Sequence, residues 1–300
     1  MQYRTLGRTG LRVSEIGFGG AVVGIPNYIE PWDPHNSDSQ AQVVRALHCA
    51  LDLGLNYLDT AEGYGEGISE EILGRVIGPR RCECVVATKV TSREPTAIRT
   101  ACEASLRRLQ TDVIDVYQFH GGWYDPDDVA AILERGGLET MLALRQEGKI
   151  RFLGFTAEAP TGGVSQLIAT GAFDVLQIRY NLMYQHACDF VNERGVMFEA
   201  EAPDPKGRQA QGMGIVTMRS LTSGTFQKLM AAAFDPPPDR EQVHRLLLQY
   251  VLSNPFVDVA IVGMRQPEEV EGNIAVADDL GGRLDLPGLH HRFADRGATR

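Results

Sequence analysis

The chain has 300 residues and a formal net charge of −10, a balance that excludes nucleic acid as the main partner, because phosphate binding needs a basic surface. Its hydrophobic fraction of 43% suffices for a large core, no apolar run approaches the ~20 residues of a membrane helix, and the start, MQYRTLGRTG, lacks the apolar centre of a signal peptide. These totals allow one or two domains, a single one spanning 1–300 where the chain is an α/β barrel, predict a cytoplasmic protein with no membrane and no nucleic-acid partner, and leave its oligomeric state open.

The predicted elements alternate along the chain. MQYRTLGRTGLRV (1–13) reads as a β-hairpin around Gly7–Gly10, ahead of a strand VSEIGFGG (13–20). A helix over 40–54 follows, with apolar residues at i, i+3, i+4 and a glycine stop. YLDTA (57–61) is a strand, and 69–77 a helix with Ser69 as its N-cap. CVVATKV (84–90), VIDVYQFHG (113–121), RFLGFTA (151–157), VLQIRYN (175–181), GIVTMRS (214–220) and VDVAIVGM (257–264) complete the strands. Helical patterns over 96–109, 127–147, 164–170, 240–253 and 267–280 lie between or after them. Residues 193–212, interrupted by Pro203, Pro205 and Gly207, read as a helix broken by a loop, and the tail 281–300 is polar.

Eight apolar strands separated by helices imply parallel pairing with both faces covered. That count favours a (β/α)8 TIM barrel over about 14–280, with an open doubly wound sheet as the alternative. The five cysteines, Cys49, Cys82, Cys84, Cys102 and Cys188, are odd in number and scattered, so they make no disulfide framework. Cys82 and Cys84 have no second pair to complete a zinc site.

In such a barrel the chemistry sits at the C-terminal ends of the strands. Asp59, Lys89 and His120 occupy that end of three successive strands, and Tyr64 lies on the loop after the first of them, framed by Gly63 and Gly65. Each alone has an ordinary structural reading: a turn cap, a rim lysine, a satisfied core histidine, a loop aromatic. Together, on strands about 4.8 Å apart, they can meet over the barrel mouth. A buried charge inside an apolar strand is costly unless paired. A tyrosine has an ordinary pKa near ~10, and a neighbouring ammonium lowers it. A carboxylate would hold that ammonium, and a histidine could hydrogen-bond a substrate oxygen. The set forms a proton-transfer station for a carbonyl or alcohol. It lacks an obvious nucleophile and so requires a redox partner.

These stretches also carry a resemblance. LGRTGLRVSEIGFGG, NYLDTAEGYGEGISEEILGRVI, VVATKV, LRRLQTDVIDVYQFH, GKIRFLGFTAE and VDVAIVGMRQPEEVEGNIA, in this order over residues 1–280, resemble the aldo-keto reductase superfamily. The resemblance implies a (β/α)8 barrel, an extended nicotinamide cofactor, no metal, and a catalytic tetrad of Asp59, Tyr64, Lys89 and His120. Tyr64 would be the proton donor in reduction, Lys89 would lower its pKa, Asp59 would partner the lysine and His120 would orient the carbonyl.

The cofactor set it implies is Thr156, Gln177, Met218, Arg219, Ser220, Leu221, Gly263, Met264, Arg265, Glu269 and Asn273. Thr156-Ala157 replaces the usual Ser-Asn, and Met218 or Arg219 stands where an aromatic ring often stacks on the nicotinamide. Gly272 replaces an acidic neighbour of Asn273. Arg265 favours NADP(H) and Glu269 favours NAD(H); with the family's usual preference the balance leans to NADP(H). Tyr28, Trp32, Trp123 and Tyr124, in the loops after the first and fourth barrel strands, either line a substrate pocket or pack those loops onto the barrel.

The primary expectation is an NAD(P)H-dependent oxidoreductase interconverting an aldehyde, ketone or aldose with an alcohol. A cofactor-binding regulatory or scaffold subunit is the alternative. A barrel hydrolase using Asp59 with Glu62 or Glu66 is a third reading.

Overall fold

The computed structural model describes residues 1–185, 211–286 and 288. Cys188, most of the polar tail and all but the last two residues of the broken helix expected over 193–212 fall outside the described residues. The chain opens with strands β1 (Tyr3–Thr5) and β2 (Arg12–Ser14), antiparallel around a single turn of 3-10 helix, Gly7–Thr9. The expected hairpin is therefore present. The strand expected to run from residue 13 to 20 divides: Val13 and Ser14 belong to the hairpin, and β3 (Ile16–Gly19) begins the barrel. At the division the Ser14 hydroxyl donates to the Ile16 carbonyl.

Seven further strands follow: β4 (Tyr57–Asp59), β5 (Val85–Val90), β6 (Ile114–Phe119), β7 (Ile150–Ala157), β8 (Val175–Arg179), β9 (Gly214–Met218) and β10 (Val259–Gly263). They pair in parallel, each with the next, and β10 closes back onto β3. The result is a closed (β/α)8 barrel, not an open sheet.

Alternate residues point inward, as the pleat requires. The lower interior holds Tyr57, Val85, Ala87, Val116, Val175, Val216 and Val259, and Leu6 and Val13 of the hairpin pack beneath them. The hairpin thus plugs the N-terminal end and leaves the opposite mouth for function. Arg4 secures the plug. It pairs with buried Glu15 and donates to the carbonyls of Leu252, the last residue of a helix, and of Asn254 and Val257 in the connection that follows.

The outer layer comprises α1 (Ala21–Gly24), α2 (Ser37–Asp52), α3 (Ile68–Ile77), α4 (Pro95–Arg108), α5 (Pro126–Leu133), α6 (Gly137–Gln146), α7 (Gly162–Ala169), α8 (Thr225–Ala233), α9 (Arg240–Leu252) and α10 (Pro267–Asp278). Helix α2 buries Val43, Ala46, Leu47, Ala50 and Leu51, one stripe at helical spacing. It starts earlier than periodicity predicted because the Asn36 side chain accepts from the N–H groups of Asp38 and Ser39.

The helix expected over 127–147 is two, parted where Gly136 adopts φ +90°. Ser69 is not a cap: Gly67 holds that position, and the Ser69 hydroxyl donates to Gly20 O and accepts from Thr60, tying α3 to two strand ends. Helix α8, absent from the sequence reading, buries none of its residues although Phe226, Leu229, Met230 and Ala233 fall at helical spacing.

Candidate active site

Asp59 ends β4, and the strand register sets its neighbours. Asp59 aligns with Ala87, Lys89 lies one inward step higher on β5 beside Gln118 of β6, and His120 follows Gln118 by one more step. The parallel pleat therefore turns three polar side chains into the same mouth at successive steps. Tyr64 arrives from the loop. That loop lies close against α1: Gly65 has φ +66°, and a Cβ there would sit 2.2 Å from the Gly24 carbonyl oxygen. No other residue fits that turn without moving the tyrosine.

The four expected residues do come together. Lys89 Nζ donates to Asp59 Oδ1 at 2.7 Å and to the Thr60 carbonyl at 2.6 Å, with both side chains buried. The same ammonium lies 5.0 Å from the Tyr64 ring centroid. His120 meets that ring edge-on, with centroids 5.7 Å apart.

Burial pushes the Asp59 carboxyl up and the Lys89 ammonium down, each toward its neutral form. Their mutual contact works the other way and keeps the pair ionic. His120 is pulled down to about 3 by burial, with Lys89 and Arg93 adding to the effect, so its imidazole is neutral at physiological pH. The Tyr64 hydroxyl is held well above its ordinary value, first by burial and then by the Asp59 charge. The net depression expected from Lys89 does not appear, because burial outweighs it.

Asp59, Tyr64 and His120 floor a cleft of about 720 Å³, with Lys89 buried behind them, within the range of small-molecule sites. It runs from Asp59, Tyr64 and His120 past Gln177 and Met218–Leu221 to Gly263 and Arg240. The cleft fits an extended nicotinamide dinucleotide. Gln177 and Ser220 offer polar groups along it, Lys228 and Arg240 line it, and Arg265 lies close by, within 3.4 Å of Glu30. Gly19 and Gly263 leave backbone bare along one wall; at Gly263 a Cβ would come within 2.7 Å of Val22.

The remaining expected cofactor residues are placed differently. The Thr156 hydroxyl donates to Gly121 O and accepts from Gly121 N–H, so it staples β7 to the loop after β6. Met264 is fully buried in the core. Asn273 is sewn between helices, sharing a 2.8 Å hydrogen bond with His244 Nε2 and donating to Glu269 O. Glu269 accepts from the N–H groups of Arg265 and Gln266 and caps its own helix. The Arg265 guanidinium stacks on Trp32.

Of the four aromatics, only Tyr28 lines the cleft. Trp32 donates to Val23 O, Tyr124 is buried with its hydroxyl on Phe119 O, and Trp123 is 60% exposed. Trp32 and Tyr124 thus hold their loops to the barrel, while the Trp123 ring lies open to solvent. Glu62, weighed as a hydrolytic partner, instead accepts from the Thr91 N–H.

Sequence reasoning missed Glu158, Lys228 and Arg240 on the cleft wall. Glu158 had a legible signal: it directly follows the C-terminal end of β7, a position equivalent to His120 after β6. Its carboxylate accepts from Arg219 Nε and Nη2 and pairs with Arg179 at 3.2 Å.

A lysine–carboxylate pair, a protonated tyrosine and a neutral histidine at a barrel mouth can exchange a proton with a bound oxygen. Comparison with known proteins gives the class. The model of the aldo/keto reductase family matches residues 15–244, and the chain belongs to that family. It is similar to the uncharacterized oxidoreductase YqkF of Bacillus subtilis, with 28% identity over 93% of this chain and 92% of the relative. Among solved structures it is similar to an aldo-keto reductase from Bacillus halodurans in its holo form, at 25% identity and a TM-score of 0.76, covering 97% of this chain and 95% of that one. An aldo-keto reductase from Klebsiella pneumoniae in complex with NADPH gives 25% identity and a TM-score of 0.70, covering 97% and 94%. The chain is an NAD(P)H-dependent oxidoreductase. Among the described residues no helix is long and apolar enough to cross a membrane.

Proposed function

We propose that the protein interconverts a small aldehyde, ketone or aldose with its alcohol, and that Tyr64 is the group that passes the proton. A nicotinamide cofactor, when bound, supplies or accepts the hydride. The chain supplies position and charge. Tyr64 stays protonated at neutral pH and donates to the carbonyl oxygen in reduction; in oxidation it must first lose that proton.

Neutral His120 donates a hydrogen bond to the same oxygen without carrying a charge of its own. Lys89 places a fixed positive charge beneath the tyrosine ring, favouring the phenolate as it forms, and Asp59 keeps the lysine charged and immobile. The observation that carries the reading is this buried ion pair under a tyrosine that faces an open cleft. Tyr64→Phe tests it: turnover of an activated aldehyde falls by roughly 10²–10⁴, while cofactor binding, followed by tryptophan quenching, is retained. Turnover equal to the parent would refute the assignment.

For the cofactor we favour NADP(H). Arg240 and Arg265 converge on Glu30 at the end of the cleft far from Tyr64, in a chain that is acidic overall. Glu269 carries the opposing influence, because its carboxylate already sits on the helix N-terminus where a phosphate would seek N–H donors.

A further inference from the structure

Beneath the tetrad lies a polar side chain with no role in the mechanism above. Gln118 is fully buried inside the barrel, on β6, one inward step below His120. Its Nε2 donates to Gln177 Oε1 at 2.9 Å. Gln177 in turn lines the cleft alongside Asp59 and helps favour its charged form. The path from β6 to β8 must cross β7, and it does so over a bare backbone. Gly154 stands opposite Gln118 in the register, and a Cβ there would lie 2.9 Å from Gln118 Cγ and 3.2 Å from its Oε1.

The direction of these bonds is set. Gln177 gives its oxygen to Gln118, which leaves its NH2 for the side of Asp59, a carboxylate that only accepts. Reversing Gln177 would turn its oxygen toward Asp59 and its NH2 toward that of Gln118. Gln118 completes the order by donating. Its own oxygen meanwhile has no hydrogen-bond partner among the described residues. A buried amide oxygen left unpaired costs stability, so stability alone favours an apolar residue at this position. The donor end is what glutamine adds.

We infer that Gln118 is a positioning residue, whose amide N–H holds the Gln177 carboxamide in one orientation and so sets which of its two polar groups faces the cleft and Asp59. The inference rests on the assignment of the tetrad to proton transfer. Gln118→Leu tests it, with Gln118→Met as a second variant that keeps the length and lacks the donor. Three readouts apply to the full chain.

In side-chain amide NMR, the Gln177 NH2 resonance, identified by its loss in Gln177→Leu, shifts and exchanges with solvent about tenfold faster in the variant. Turnover of p-nitrobenzaldehyde with NADPH falls about tenfold in kcat, without a lower melting temperature. The double variant Gln118→Leu/Gln177→Leu is no slower than Gln177→Leu alone, because one residue acts through the other. An unchanged Gln177 resonance, or losses that multiply independently, would overturn the inference. Tyr64→Phe in the same assay separates the two claims: if that variant is inactive and Gln118→Leu matches the parent, only the role of Gln118 fails. If Tyr64→Phe keeps its turnover, the tetrad assignment fails, and the NMR result alone decides the role of Gln118.

Discussion

The two ends of the cleft are built on opposite plans. At the Tyr64 end the charges are buried, paired at 2.7 Å and backed by the strand register, so each group has one position. At the Arg265 end the charges sit on loops and helix starts: Glu30, 57% exposed at its side chain, lies within 3.4–3.8 Å of both Arg265 and Arg240. Exposed pairs of that kind contribute little and are readily exchanged. The contrast shows which half of the cleft has its chemistry built in and which half can adjust to its ligand.

The comparison breaks most visibly at Lys89. Lys89→Met leaves the Asp59 carboxylate buried with its cation gone, and removing one partner of such a pair costs about 3–5 kcal/mol. Denaturant unfolding should show that loss, together with a fall in turnover. Adding Asp59→Leu to the same chain should restore much of the stability and none of the activity, since the unpaired charge leaves with it. At the other end Glu30→Ala should change stability by less than about 1 kcal/mol. Equal losses at the two ends would contradict the contrast.

A smaller effect is written in the pH dependence. His120 is held at about 3 against an ordinary value of 6.5. Between those values the unfolded chain takes a proton that the native state refuses, so acidification through that window removes stability, and above it the histidine contributes nothing. His120→Asn should flatten that limb of a melting-temperature profile. In turnover, reduction should show no histidine inflection between about pH 5 and 8. Oxidation should keep rising with pH, because Tyr64 must lose a proton that its surroundings hold tightly.

The same contrast explains how much could be read from the sequence. Barrel, hairpin and the meeting of Asp59, Lys89 and His120 were legible because strand period and strand end determine them: each of the three sits at or just beside the end of an apolar run, at the same mouth of the barrel. Thr156, Glu269 and Asn273 were not legible in the same way. Their residue types suit a cofactor contact, yet each hydrogen-bonds to a neighbour whose position depends on tertiary packing, namely the Gly121 backbone, the start of α10, and His244. The aromatics differ for a related reason. A loop tryptophan looks the same in sequence whether it faces a ligand or donates to a backbone carbonyl, as Trp32 does. The raised hydroxyl of Tyr64 depends on burial, which no local pattern reports.

The smallest effect, and the sharpest probe of the adjustable end, is Glu269→Ala. In the parent, Glu269 Oε2 accepts from two backbone N–H groups at the start of α10, those of Arg265 and Gln266. Removing it loosens that helix start by about 1 kcal/mol, the usual value of a cap. It also frees two donors at a helix N-terminus and withdraws a negative charge from beside Arg265. A phosphate gains from both changes and a free ribose hydroxyl from neither. NADPH should therefore bind about tenfold more tightly to the variant, a change of ~1.4 kcal/mol, while NADH binding stays level. If both cofactors tighten together, Glu269 acts only as general negative charge. If neither moves, the phosphate lies away from α10, and Arg240 is the next residue to remove.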